Sequence, residues 1–249
     1  MKTFYFSATG NSLYVAKSIG GELFPISIFI NKELQIFKDE IIGFVFPCFS
    51  FEVPPFVKNF IENNSFSADY FFVIMTYGNT LGLGLHSFKK IAEQKNIKIN
   101  YYNSVLMVDN FLPLFSIESQ LKKEPKKKIG EKIGQIKSDI DQKKSNELKK
   151  QTFLQTVMNA FLRKININNK PKFDKYFKIN SKCNKCGVCE KICFKNNIKI
   201  KEKPEYLHDC SLCFACIHSC PTNAIHVKFE RSSTRFRNKN INLKELMNE

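Results

Sequence analysis

Residues 2–12 read KTFYFSATGNS. An apolar strand, Lys2–Phe6, runs straight into the small, hydroxyl-rich loop Ser7, Ala8, Thr9, Gly10, Asn11 and Ser12. A helix follows, with Leu13, Ala16, Ile19 and Leu23 spaced to face inward. A strand that ends in such a loop and opens a helix makes a phosphate cradle. Backbone N–H groups point inward, the helix N-terminus adds partial positive charge, and the hydroxyls of Ser7, Thr9 and Ser12 can donate. GxxxxGK[ST] and GxGxxG are both absent, so the loop carries neither the lysine of a nucleoside triphosphatase nor a dinucleotide fingerprint. Ser, Thr and Asn are also ordinary helix caps, so the bare alternative is a capped helix start.

Two later segments repeat the architecture. Strand Ile41–Phe46 ends in Pro47, Cys48, Phe49, Ser50, Phe51, Glu52, Val53, Pro54 and Pro55, ahead of an amphipathic helix Phe56–Asn63. Strand Tyr70–Met75 ends in Thr76, Tyr77, Gly78, Asn79, Thr80, Leu81 and Gly82, ahead of a helix Leu83–Gln94. Strand Ile97–Val108 closes the set. Alternating strands and helices predict an α/β doubly wound parallel sheet in the order 2-1-3-4-5, whose ligands sit beyond the carboxyl ends of its strands. A hydroxyl-rich loop without a cation site suits the phosphomonoester of FMN. The other two loops are then placed to sandwich its ring between Phe49 or Phe51 and Tyr77, with Gly78 and Gly82 letting backbone N–H groups approach. In a chain with 25 phenylalanines, each aromatic taken alone reads equally well as core packing. Cys48 reads as a small, partly buried residue, with a redox thiol as the alternative.

Eight of the nine cysteines fall in two runs: Cys183, Cys186, Cys189 and Cys193, then Cys210, Cys213, Cys216 and Cys220 followed by Pro221. In each run three cysteines are two residues apart and the fourth follows after three. This is the spacing of a bacterial two-cluster ferredoxin, in which each run gives three thiolates to its own 4Fe–4S cluster and the fourth to the other. A structural zinc site would use two CxxC pairs or added histidines, and His86, His208, His218 and His226 do not stand at ligand spacing. The opening MKTFYFSATG has no signal-peptide character, which points to a reducing cytoplasm and away from disulfides. A shift of 27 residues superimposes the runs, and also Asn196 on Asn223 and Ile198 on Ile225, so each unit reads as cysteine loop, short helix and strand. Phe194 stands where the repeat has Pro221, so the loop leaving Cys193 lacks that restraint.

The chain carries 39 basic and 23 acidic residues, a formal charge of +16. Part of that charge offsets the cofactors, since each cubane with its thiolates carries roughly −2 and a flavin phosphate roughly −2. The basic residues are spread along the chain without interleaved stacking aromatics, so no nucleic acid is expected as a partner, and the surviving charge favours acidic redox proteins. No run is long enough to span a bilayer. Residues 116–144 read as a lysine-rich helix broken at Pro125, and 152–165 as an amphipathic helix. The domains expected are a flavodoxin-like FMN domain with a helical extension (1–165), a polar linker (166–182) and a small α+β two-cluster ferredoxin-like domain with a tail (183–249).

FSATGNS, PCFSFEVPP, TYGNTLG, the two cysteine runs and CPTNAI together resemble the ferrodoxin family, in which a flavodoxin-like domain is fused to a two-cluster ferredoxin domain. The resemblance covers nearly the whole length. It implies FMN, two 4Fe–4S clusters and electron transfer, in an anaerobe. The function expected is a relay that joins one-electron carriers to one- or two-electron flavin chemistry. The rivals are a flavin-dependent reductase fed by its own clusters and a nucleic-acid-binding iron–sulfur protein. Turnover of a small acceptor no faster than free FMN would remove the first rival. Absence of DNA or RNA retention at physiological salt would remove the second.

Overall fold

The computed structural model describes residues 1–30, 32–149 and 172–247. The expected helix over 152–165 lies outside them. The described residues divide into two compact units, each discontinuous in sequence. One comprises 1–6, 12–107 and 127–149; the other comprises 7–11, 108–126 and 172–247.

The first unit is built on five parallel strands: β1 (Lys2–Tyr5), β2 (Glu22–Pro25), β4 (Ile41–Pro47), β6 (Tyr70–Tyr77) and β7 (Tyr101–Leu106). Their spatial order is β2-β1-β4-β6-β7, which is 2-1-3-4-5 when only the strands of this sheet are counted. This is the flavodoxin-like α/β arrangement. The interior strand β6 is YFFVIMTY with seven of its eight residues buried, as a parallel strand covered on both faces must be. Helices α1 (Asn11–Ile19) and α5 (Ile129–Asp141) cover one face, where Val15, Ala16 and Ile19 join Val45, Phe72, Ile74, Ile133, Ile136 and Ile140 in one core. Helices α2 (Pro55–Asn63) and α3 (Gly84–Gln94) bring Phe60 against Phe4, and Phe88 against Phe44 and Phe46.

Some elements differ from expectation. Leu23 lies on β2, because Gly20 and Gly21 (φ 100° and 85°) end α1 in a left-handed turn that other residues resist. The last strand is shorter than Ile97–Val108. The lysine-rich stretch is three pieces: α4 (Ile117–Lys123), a 3-10 turn at Glu124–Lys127, and α5. A separate parallel pair, β3 (Ile36–Lys38) with β5 (Ser65–Ser67), brings Phe37 and Phe66 onto the Phe4 ring at 4.6 and 5.6 Å. Six phenylalanines surround Phe4, and each such ring contributes about 0.5–1.5 kcal/mol beyond the area it buries.

The second unit contains the cysteine repeats. Its elements are β8 (Phe177–Ile179), helix α6 (Val188–Lys191), β9 (Ile198–Ile200), β10 (Pro204–Tyr206), helix α7 (Ala215–His218) and β11 (Ile225–Val227). Every element of the second repeat is numbered 27 above its counterpart, and β10 is the counterpart of β8. The repeats exchange strands: β8 pairs with β11 and β9 with β10, both antiparallel. The same pseudo-two-fold relates single hydrogen bonds. Asn180 N–H donates to the Ala224 carbonyl at 3.0 Å, and Leu207 N–H to the Asn197 carbonyl at 2.9 Å. Residues 173–179, expected as linker, are a 3-10 turn and β8, so they form part of the repeat. A tail follows, ending in a 3-10 turn (Leu243–Leu246) closed by a capping box between Asn242 and Glu245.

Candidate functional site

The two runs fix their cysteines by the same backbone device. Lys185, Gly187 and Asn196 have positive φ, as do their counterparts Leu212, Phe214 and Asn223. Left-handed steps at these places wind a short loop tightly enough to turn successive thiols toward a common space. Cys183, Cys186 and Cys189 line one small pocket together with Cys220, the fourth cysteine of the other run. In the other group, Cys193 is among the charges that raise the thiols of Cys210, Cys213 and Cys216. The eight thiols therefore sort into two crossed sets, each with three from one run and one from the other. All nine cysteines are free of disulfides. Among the described residues, no three His, Cys, Asp or Glu side chains are gathered closely enough to hold a metal ion.

The electrostatics of these thiols follow from burial. Burial pushes Cys189 up to about 11 and Cys210 up to about 12, and also raises Cys213 and Cys216. Ionising four clustered thiols in such a place requires positive charge among them, which is what an iron–sulfur core supplies. Hydrogen bonds to sulfur are already present. Asn197 N–H and Ala224 N–H donate to Cys193 Sγ at 3.4 Å and to Cys220 Sγ at 3.2 Å, again as counterparts. The Tyr206 hydroxyl lies 3.9 Å from Cys216 Sγ. Cys220 alone is lowered: burial acts upward on it, but the N–H of Ala224 and the hydroxyl of Thr222 outweigh that. By donor type, crossing and hydrogen-bonded sulfur, the two sets fit a pair of 4Fe–4S clusters.

The loop 7–11 is held from two sides. Ser7 Oγ accepts the Gly10 N–H at 3.1 Å. Thr9 is buried, its hydroxyl accepts from Asn110 Nδ2, and its carbonyl accepts the Asn238 N–H at 2.8 Å. Asn11 Nδ2 donates to the Val108 carbonyl at 3.1 Å, and its Oδ1 accepts from Asn238 Nδ2 at 3.2 Å. A Cβ on Gly10 would meet Asn238 and Ile241 at 3.0 Å, so the tail is seated on this loop. Ala8 is half-buried. Ser12 is buried at the start of α1, its hydroxyl paired at 2.8 Å with that of Thr76 at the end of β6.

Within the sheet unit, Pro47 is the last residue of β4, and the Cys48 N–H donates to the Thr76 carbonyl at 2.7 Å. The Cys48 thiol donates to the Leu81 carbonyl at 3.2 Å, which favours the packing role for that residue. Ser50 and Phe51 both have positive φ. Phe49 packs edge-on against Phe6 and Phe56 at 6.3 and 6.2 Å, and is half-buried. A Cβ on Gly82 would lie 2.5 Å from the Phe51 Cβ, so this glycine makes room for Phe51. Gly78 is half-buried and Asn79 exposed in the turn after β6. Tyr77 lines an open groove of about 500 Å³ with Ser104, Leu106, Lys127, Lys128, Glu131 and Lys132, a volume within the range of small-molecule sites.

Three residues that single-position reading passes over hold the second unit together. His218 on α7 is buried; its Nε2 donates to the Asn110 carbonyl at 2.8 Å and its Nδ1 accepts the Phe236 N–H at 3.1 Å. Burial, with no compensating carboxylate in hydrogen-bond contact, lowers it to about 4 and keeps it neutral. Buried Asp174 accepts from His208 Nδ1 at 2.7 Å and from Asn197 Nδ2 at 2.8 Å, while Asn197 Oδ1 takes the Asp209 N–H at 2.6 Å. The repeat held a clue to His218: its counterpart is the exposed Lys191, so burial at 218 marks a difference between the copies.

The chain matches no model of a known protein family, nor any of the curated proteins it was compared with. Solved structures similar to it include a candidate flavoprotein of Bacteroides uniformis, at 14% identity and TM-score 0.35, covering 48% of this chain and 94% of that one. The Trp repressor binding protein of Bacillus subtilis follows at 16% identity and TM-score 0.30, covering 43% of this chain and 83% of that one. A candidate flavoprotein of Bacteroides eggerthii has 17% identity and TM-score 0.32, covering 49% and 92%. No helix among the described residues is long and apolar enough to cross a membrane.

Proposed function

We propose that the chain is an electron-transfer protein of two parts, with a flavin at the carboxyl ends of the sheet and two 4Fe–4S clusters in the cysteine repeats. Cys183, Cys186, Cys189 and Cys220 hold one cluster; Cys193, Cys210, Cys213 and Cys216 hold the other. The observation that carries this reading is the crossed pocket, where three thiols of the first run meet the fourth thiol of the second. Spacing alone does not require that crossing, and a pair of independent four-cysteine zinc knots would not produce it.

Cubanes supply single-electron storage and FMN supplies one- or two-electron chemistry, so joining them couples carriers of different electron number. The chain's own residues set the terms. Asn197 and Ala224 donate N–H bonds to sulfur, which stabilises added negative charge and raises the potential of the group they face. Ile192, Ile198, Ala224 and Ile225 are nearly fully buried around the cysteines and exclude water. In the sheet unit, Tyr77 and its groove offer an aromatic wall for a ring.

Anaerobic reductive titration of freshly purified protein tests the reading. Uptake of about four electrons per chain is expected, one for each cluster and two for the flavin. Uptake of two electrons or fewer would contradict a protein carrying all three groups.

A further inference from the structure

The internal repeat allows the two copies to be compared position by position. Residues 177–203 carry eight lysines against two glutamates, +6 in all, whereas 204–230 carry one lysine against three carboxylates, −2. Three lysines of the first copy stand where the second copy has acids: Lys178 aligns with Glu205, Lys182 with Asp209 and Lys203 with Glu230. Two others stand where the second copy has buried side chains: Lys185 aligns with Leu212, 6% exposed, and Lys191 with His218, 5% exposed. The second copy is covered. Phe111 packs on Phe214 at 5.3 Å, His218 bonds the Asn110 carbonyl, and tail residues Ser233 and Arg235 bond Asn223 and Ile225. The first copy is left open, and its Cys186 is the exposed cysteine among the nine. Lys185 lines the pocket that Cys186 shares and pairs with the exposed carboxylate of Glu202 at 3.4 Å, while Lys182 and Lys191 have no carboxylate partner among the described residues.

We infer that the electron-exchange surface of this chain is the face of the first repeat around Cys186, Lys182, Lys185 and Lys191, and that it receives a carboxylate-rich one-electron redox protein. The inference rests on the electron-transfer reading above and gives it a location and a partner class. Charge complementarity identifies the occupant: a basic patch beside an exposed ligand thiol attracts an acidic surface and brings its redox group close. Cys183, Cys186, Cys189 and Cys220 would hold the group that accepts one electron, and a reduced partner seated on this face would supply that electron and be oxidised. No bond forms or breaks.

The test measures binding of a purified acidic ferredoxin by titration calorimetry at low and at physiological salt, with iron and sulfide assayed in every sample. The triple variant Lys182→Glu, Lys185→Glu, Lys191→Glu is compared with Lys58→Glu, Lys90→Glu, Lys98→Glu, which changes net charge equally on exposed positions of the sheet unit. Expected is an affinity loss of about tenfold or more at low salt for the first triple, shrinking as salt rises, and a change within about twofold for the second. Equal loss in both, or none in either, with iron retained, overturns the docking surface and leaves the electron-transfer reading standing. Duplex DNA bound through the same lysines while the ferredoxin is ignored also overturns it. Wild-type protein without iron or sulfide removes the reading beneath it.

Discussion

The sheet unit and the cysteine unit are stabilised by different means. In the sheet unit, long buried strands and a cluster of phenylalanines take apolar surface out of water, and the hydrogen bonding is mostly regular ladder. Among the described residues of the cysteine unit no strand exceeds three residues, and α6 and α7 have four residues each. What fixes it is a set of specific polar contacts, at His218, Asp174, Asn197 and Asn238, together with thiols arranged as donors. A core that small needs a staple. The contrast teaches that one half is built on a large apolar core, while the other, on the proposed reading, depends on what its cysteines hold.

The largest effect should come from removing iron. Treating the protein with a chelator and reductant should abolish amide exchange protection across 177–227 while leaving β4 and β6 protected. Equal protection of both units after iron loss would erase the contrast. Phe4→Ala should act the other way, costing the sheet unit about 3–5 kcal/mol in chemical denaturation with iron content unchanged. His218→Phe removes a donor and an acceptor and leaves the Asn110 carbonyl and the Phe236 N–H unpartnered, at about 1–3 kcal/mol each. Its signature should be faster exchange in the tail and around Asn110, with the sheet unaffected.

The smallest effect concerns Glu118. Hydrogen bonds from the hydroxyls of Thr234, Ser116 and Ser232 hold its carboxyl down to about 2, from an ordinary value near 4.5. A lowered acid stabilises the folded form fully above its unfolded value and loses that contribution as pH falls from 4.5 toward 2. Protection of the Thr234 amide, taken relative to its intrinsic exchange rate, should therefore fall across that interval, and Glu118→Gln should flatten the change. A protection factor at Thr234 that does not change with pH would mean the carboxylate does not anchor the tail.

Much of this was legible because it was periodic. Alternating apolar strands and loops located four of the five strands of the main sheet and the doubly wound order, while β2 was hidden because Leu23 read as part of the first helix; the cysteine spacing located both runs and their 27-residue repeat. What escaped notice lacked a period. β3 and β5 are three residues each and exist because Phe37 and Phe66 close over Phe4. Residues 173–179 look like a polar connection, because β8 is recognisable only through its pairing with β11. Asn110, His218 and Asn238 are isolated polar residues whose partners lie up to 227 residues away in sequence, so only the fold reveals that Asn110 and Asn238 hold the 7–11 loop and that His218 braces Asn110. The same contacts show Thr9 and Ser12 bonded to protein partners, a detail that a hydroxyl-rich motif cannot convey.

The most direct test of the account is the composition of anaerobically purified protein: iron, acid-labile sulfide, zinc and acid-extracted flavin per chain. The account predicts about eight irons, about eight sulfides and one FMN. Zinc without sulfide, persisting after attempted iron–sulfur reconstitution, would contradict it.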